Sequence, residues 1–214
     1  MWPEVLSYEK RLSDMFSLFK PKGEMIEALI ERQNNQEFSY PFVGKTRELS
    51  APPQGYDCDH NRICLGKGER VFSAACAALR RWHMFELGWV EIYNSAAPIK
   101  PGTVVAMLAH CFGLWWSNIC RIVYVINEPG PVRKFGFAYG TAPHHIERGE
   151  ERFTIEWHDS DDSVWYDIYA FSQPSYWMVR LGYPLARRLQ RKFAEDSKRA
   201  MLQAVAGSEA WFRG

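Results

Sequence analysis

Surplus charge of either sign is missing from this chain: 26 Lys and Arg stand against 25 Asp and Glu in 214 residues. With no net field, neither nucleic acid nor an anionic membrane surface is the expected partner. Paired cysteines are missing too. The five present (Cys58, Cys64, Cys76, Cys111 and Cys120) are odd in number and form no Cys-x-x-Cys. That disfavours a zinc knuckle or redox couple and fits reduced thiols in a cytoplasmic protein. The start "MWPEVLSYEKR" lacks the basic-then-apolar order of a secretory leader. "LGKGER" lacks the third glycine of a dinucleotide loop and the Lys-Ser/Thr of a phosphate loop, and "HDSDDS" lacks the spacing of a calcium loop. No cofactor and no resident metal are expected.

What is abundant is apolar and aromatic material, 47% and 15% of the chain, enough for one dense core. Its longest run, "VVAMLAHCFGLWWSNICRIVYVI" (104–126), matches a bilayer in length. His110, Ser117, Asn118 and Arg121 interrupt it, and Gly113 sits near its middle. Two buried strands with a break between them are therefore expected, with no stable membrane insertion.

The first fifty residues form a separate unit in pattern. Helical spacing covers 3–19 and 23–36, where Met25, Ile26, Leu29 and Ile30 make one stripe; "FSYPFVGKTRELSAPPQGY" then reads as a strap over the surface. We divide the chain into a helical extension with its strap (1–50) and a main domain (51–214). The domain opens with a strand, "YDCDHNRICLG", and an alanine-rich helix over 68–82. Extended runs follow at 85–93, 103–110, 120–128, 134–142, 152–157 and 163–172, separated by turn sequences, as in an antiparallel meander. A long amphipathic helix closes the chain, with Leu181, Leu185, Leu189, Phe193 and Met201 on one side. Arg187, Arg188, Arg191, Lys192, Lys198 and Arg199 are expected on a solvated face. The fold class is α+β: a curved antiparallel sheet of six or seven strands wrapped around that helix, with a cavity between them.

Strand alternation selects the polar groups of that cavity. Phe153, Ile155 and Trp157 anchor one face, and counting back in twos adds Glu151, Gly149, Glu147 and His145. On the preceding strand Phe135, Phe137, Tyr139 and Thr141 share a face. Tyr139, His145, Glu147 and Glu151 are thus the candidate site residues, and His144, Arg148, Glu150 and Arg152 are expected to face water. A β-bulge at Gly149 would reverse the parity of His145 and Glu147, whereas Tyr139 and Glu151 lie next to the anchoring residues. Glu147 and Glu151, four residues apart, are separated by about 13 Å along a strand, beyond the roughly 5–9.5 Å of a glycosidase pair. His145 with Glu147 supplies only two metal ligands, and a third would have to come from His110 or another distant residue.

Six blocks in order, "GERVFSAACAALRRWHMFELGWVEI", "PGTVVAMLAH", "LWWSNICRIVYVI", "FGFAYGTAPHHIERGEERFTIEW", "VWYDIYAFSQP" and "RLGYPLARRLQRKFAEDS", resemble the bacterial and plant family called domain of unknown function 1990. The similarity runs from about Phe38 to about Met201. The element order is also similar to the helix-grip superfamily of START lipid-transfer, pollen-allergen-like and polyketide-cyclase proteins. That resemblance implies a cavity for a sterol-like, polyketide-like or other apolar ligand, and no particular reaction, since carriers and enzymes share the layout. Three readings follow. In the first, the protein binds an apolar or aromatic small molecule and catalyses cofactor-free cyclisation, isomerisation or dehydration, with Glu151 or Glu147 as acid/base, Tyr139 as proton donor or orienting hydroxyl, and His145 as relay. In the second it is a carrier or sensor without turnover. In the third it is a structural protein whose N-terminal helices dock on a partner.

Overall fold

The computed structural model describes residues 15–48, 51–143, 145–175 and 182–211, with side chains to 207. Strand β1 (Phe16–Ser17) and helix α1 (Gly23–Gln33) precede a short 3-10 turn (Lys45–Arg47), strand β2 (Asp57–Lys67) and helix α2 (Gly68–Arg80). After a second 3-10 turn (His83–Phe85) come β3 (Val90–Tyr93), β4 (Val104–Cys111), β5 (Leu114–Glu128), β6 (Val132–Thr141), β7 (Glu147–His158) and β8 (Ser163–Pro174). Helix α3 (Tyr183–Trp211) is the last described element.

Strands β3 to β8 pair consecutively and antiparallel, and β2 closes against β8, giving the order β2-β8-β7-β6-β5-β4-β3. Register shifts between Ile122 and Tyr124 in β5 and between Cys64 and Gly66 in β2 add local bends to the sheet. Helix α2 and the turn after it carry the chain from one sheet edge to the other. They leave Trp82, Phe85, Phe137, Phe153 and Tyr166 buried together on the concave face. Helix α3 packs on α2, on the 83–85 turn and on β2 and β8. This is the curved antiparallel sheet with a closing helix across it that the order of elements predicts.

The segment 104–126 is two strands, as expected, turning at Phe112 and Gly113; no described helix is long and apolar enough to cross a membrane. Several bounds differ from expectation. Phe16–Ser17 is a strand pairing with Trp115 and Trp116, where the spacing predicts a helix over 3–19; the part of that helix up to residue 14, like Leu181 and His144, lies outside the described residues. The free edge of β5, which β6 leaves unpaired before Cys120, overrides the local helical pattern. β5 begins at Leu114, six residues before the expected start, because it pairs with β4 from the turn onward, which carries the polar Ser117 and Asn118 into the sheet, where they are buried. The expected strand over 85–93 is reduced to Val90–Tyr93, since Phe85 belongs to the 3-10 turn.

The convex face is covered as well. Ile26 and Leu29 of α1 pack on Ala106, Leu108 and Ile119, while Met25, expected on the same stripe, is exposed. The strap continues over β6 and β7. Tyr40 lies directly on Gly140, where a Cβ would come within 2.1 Å of the Tyr40 hydroxyl, so only glycine fits beneath the ring. Glu150 and Arg152, expected to face water, are 2% and 6% exposed beneath this strap. Glu150 accepts hydrogen bonds from Tyr40 Oη (2.7 Å), Gly44 N (2.7 Å), Thr46 N (2.9 Å) and Thr46 Oγ1. Arg152 donates to Thr46 O and to Asp167, and Asp167 also accepts from His60.

The β4–β5 turn carries strain. Phe112 has φ 55° and Gly113 φ 74° in a two-residue connection, a geometry that favours Asn-Gly. Phe112→Asn is expected to raise unfolding stability by about 1 kcal/mol, measured by urea denaturation. No gain would show that the exposed Phe112 ring makes contacts that offset its backbone cost.

Candidate functional site

Between the concave face and α3 lies a cavity of about 510 Å³. Trp89, Met107, Ala109, Ile168, Leu189 and Phe193 supply apolar wall, and the Trp89 indole is fixed by donating to Asp196 Oδ2 at 2.9 Å. Tyr139, His145, Glu147 and Glu151 all line this space. The pairing of β7 is continuous through Gly149 with β8 and through Glu150 with β6, so no bulge reverses the parity, and His145 and Glu147 stay on the face of Glu151.

Tyr139 lies directly opposite Glu151 in the β6–β7 ladder. Its hydroxyl donates to Glu151 Oε2 at 2.6 Å, and among the described residues Oε1 has no hydrogen-bond partner. Burial pushes the Glu151 carboxyl up to about 7; the Tyr139 bond opposes this, and the charge of Glu147 adds to it. Burial first, then the Glu151 charge, holds the Tyr139 phenol well above its ordinary value, so it remains a donor. Near neutral pH the carboxyl is about half protonated, able to give or take a proton.

His145 is 7% exposed, and its Nδ1 accepts the backbone N–H of Glu147 at 3.0 Å. That bond fixes the neutral tautomer with the proton on Nε2, which has no hydrogen-bond partner among the described residues. Burial lowers its pKa to about 4. His145 is therefore an uncharged donor at neutral pH. Glu147 is raised by burial, opposed by hydrogen bonds from Gln190 and Ser172. Gln190 Nε2 donates to Glu147 Oε1 at 2.6 Å and to Ser172 Oγ at 3.1 Å.

A second polar group joins the site from outside the predicted set. Arg187, expected on the solvated helix face, donates from Nη1 and Nη2 to both carboxylate oxygens of Asp59 at 2.5 and 2.6 Å, and from Nη1 to Gln190 Oε1 at 2.6 Å. The chain Asp59–Arg187–Gln190–Glu147 thus ties α3 to β2 and to β7 along the cavity. Alternation in "DCDHNRI" puts Asp59 and Asn61 on one face, a signal within reach of the sequence; nothing local to α3 marks Arg187 and Gln190 as inward. Among the described residues no group of three or more His, Cys, Asp and Glu side chains could hold a metal ion. His110, the most distant candidate ligand, stacks on Trp115.

Residues 39–200 match the family described as "Domain of unknown function (DUF1990)". The chain is 36% identical over 212 residues to a UPF0548 protein of Dictyostelium discoideum, covering 91% of this chain and 98% of that one. It is 32% identical over 201 residues to a UPF0548 protein of Deinococcus radiodurans, covering 89% and 99%. Among solved structures it is similar to human STARD10, with TM-score 0.46 and 10% identity over 91% of this chain and 84% of that one.

Proposed function

The chain belongs to the DUF1990 family, and we propose that it binds an apolar or aromatic small molecule between sheet and helix and acts on it by cofactor-free acid/base chemistry. The observation that carries this reading is the Tyr139–Glu151 pair, whose carboxyl is poised near 7 on the wall of a largely apolar cavity. Glu151 is the acid/base. Tyr139 orients it and can donate to a developing oxyanion, and His145 presents Nε2–H to a ligand oxygen. Proton transfer between adjacent carbons or oxygens is the step such a pair serves, as in isomerisation, dehydration or aldol-type cyclisation. The five cysteines all carry free thiols, which supports a reducing, cytoplasmic setting.

Native mass spectrometry of the purified protein, followed by solvent extraction, is expected to recover a bound small molecule. With that molecule as substrate, Glu151→Gln is expected to slow turnover by about 10²–10⁴-fold while the molecule is still recovered bound to the variant. Recovery of an unaltered ligand from both proteins, with no turnover in either, would leave a carrier and remove Glu151 from catalysis. A cavity that neither retains a ligand nor takes up a neutral apolar dye would sink both.

A further inference from the structure

The charged groups that face the cavity come from three elements, β2, β7 and α3, and do not balance. Asp59 of β2 and Arg187 of α3 neutralise each other in a two-bond pair. Arg191 of α3, the arginine among the residues that line the cavity, is exposed to solvent. His145, just before β7, is uncharged through its tautomer. Glu150, also on the lining, turns its carboxylate to the strap. What remains on the wall is Glu147 and Glu151 of β7, engaged by neutral donors, Gln190 and Ser172 for the first and Tyr139 for the second, and neither hydrogen-bonded to a cation among the described residues. Neutral polar groups, Asn118, Thr141 and Ser172, complete the lining. A carboxylate-headed ligand would bring a further negative charge into this low-dielectric space, whereas an ammonium would supply the missing partner.

From this imbalance, and resting on the ligand-binding reading above, we propose that the cavity selects an amphiphile with a protonated amine head, seated against Glu151 and Glu147, and rejects carboxylate-headed lipids. The apolar wall of Trp89, Met107, Ile168 and Phe193 takes the hydrocarbon body. The buried His145 Nε2–H, unpartnered among the described residues, is placed to donate to a hydroxyl or carbonyl oxygen beside the amine. An amino alcohol or aryl-ethylamine type of ligand satisfies both signs of this wall, and a fatty acid leaves the two carboxylates unpaired.

Three ten-carbon probes that differ only in the head, decylamine, decanol and decanoate, test the order by isothermal titration at pH 7. The amine is expected to bind at least about tenfold tighter than the alcohol, and the carboxylate at least about tenfold weaker. Because the Glu151 carboxyl is raised to about 7, ammonium binding should expel up to about half a proton at that pH. The observed heat should then depend on the ionisation enthalpy of the buffer. This dependence should largely vanish in Glu151→Gln, and the amine preference in Glu147→Gln/Glu151→Gln, while decanol still binds. Decanoate binding as tightly as decylamine, or a preference that survives in the double variant, would overturn the proposal and leave ligand binding standing. If decanol and the other two all fail to bind, the ligand-binding reading falls with it.

Discussion

In Glu151→Gln, unfolding free energy is expected to rise by about 3 kcal/mol at pH 8 over the wild type, with little change near pH 4. The folded carboxyl titrates at about 7 against an ordinary 4.5, so the unfolded state holds fewer protons than the folded one between those values and stability falls as pH rises through them. Glutamine removes that cost and keeps an acceptor for the Tyr139 hydroxyl. His145 works in the opposite sense. Its folded pKa of about 4 lies below the ordinary 6.5, so the unfolded state binds the extra proton and stability is lost as pH falls from 6.5 towards 4.

The two effects overlap between about pH 4.5 and 6.5, where the unfolded chain carries one proton on the imidazole and the folded chain carries one on the carboxyl. Proton number is unchanged on folding, and these two groups leave stability flat. Each single substitution should unmask the other slope: rising with pH in Glu151→Gln, falling in His145→Asn, which retains an acceptor for the Glu147 amide. Glu147, also raised by burial, adds to the fall. Urea midpoints measured at half-unit pH steps test this, and parallel profiles for all three proteins would place the titration elsewhere.

Glu150→Ala is expected to cost about 3–5 kcal/mol, because it strands the donors of Tyr40, Gly44 and Thr46 in a buried setting. Glu150→Gln, equal in shape, should still cost about 2 kcal/mol, since its amide NH2 must meet a backbone N–H where the carboxylate had an acceptor oxygen. The loss should appear first in the strap, as faster hydrogen exchange of the Gly44 and Thr46 amides and as earlier proteolysis between residues 41 and 48. If the Glu150→Gln protein protected those amides as well as the wild type does, shape and not charge would hold the strap.

How much of the fold and site is legible in the sequence depends on how far away the deciding partner lies. Tyr139 and Glu151 read inward because Phe137 and Phe153 sit two residues off and fix the face. His145 and Glu147 need the pairing of β7 with β8, which a sequence with a central glycine leaves open. Glu150 and Arg152 depart from expectation because alternation says which residues share a face and not whether that face is covered; the covering residues, Tyr40 to Thr46, come more than a hundred positions earlier. Arg187 departs for a similar reason, its partner Asp59 lying 128 positions back. The layout of strands and closing helix is readable because period and turn chemistry are local.

The closing of the sheet by β2 against β8 imposes an order on synthesis. A ribosome releases β2 roughly a hundred residues before its partner strand exists, and the meander from β3 to β7 can assemble hairpin by hairpin in the meantime. The strap waits for Glu150, and Asp59 waits for Arg187. Both polar ends of the molecule, the one that fastens the outside and the one that lines the inside, therefore come into being late in translation, and a nascent chain stopped before β8 possesses neither a complete cavity wall nor a fully sealed outer face.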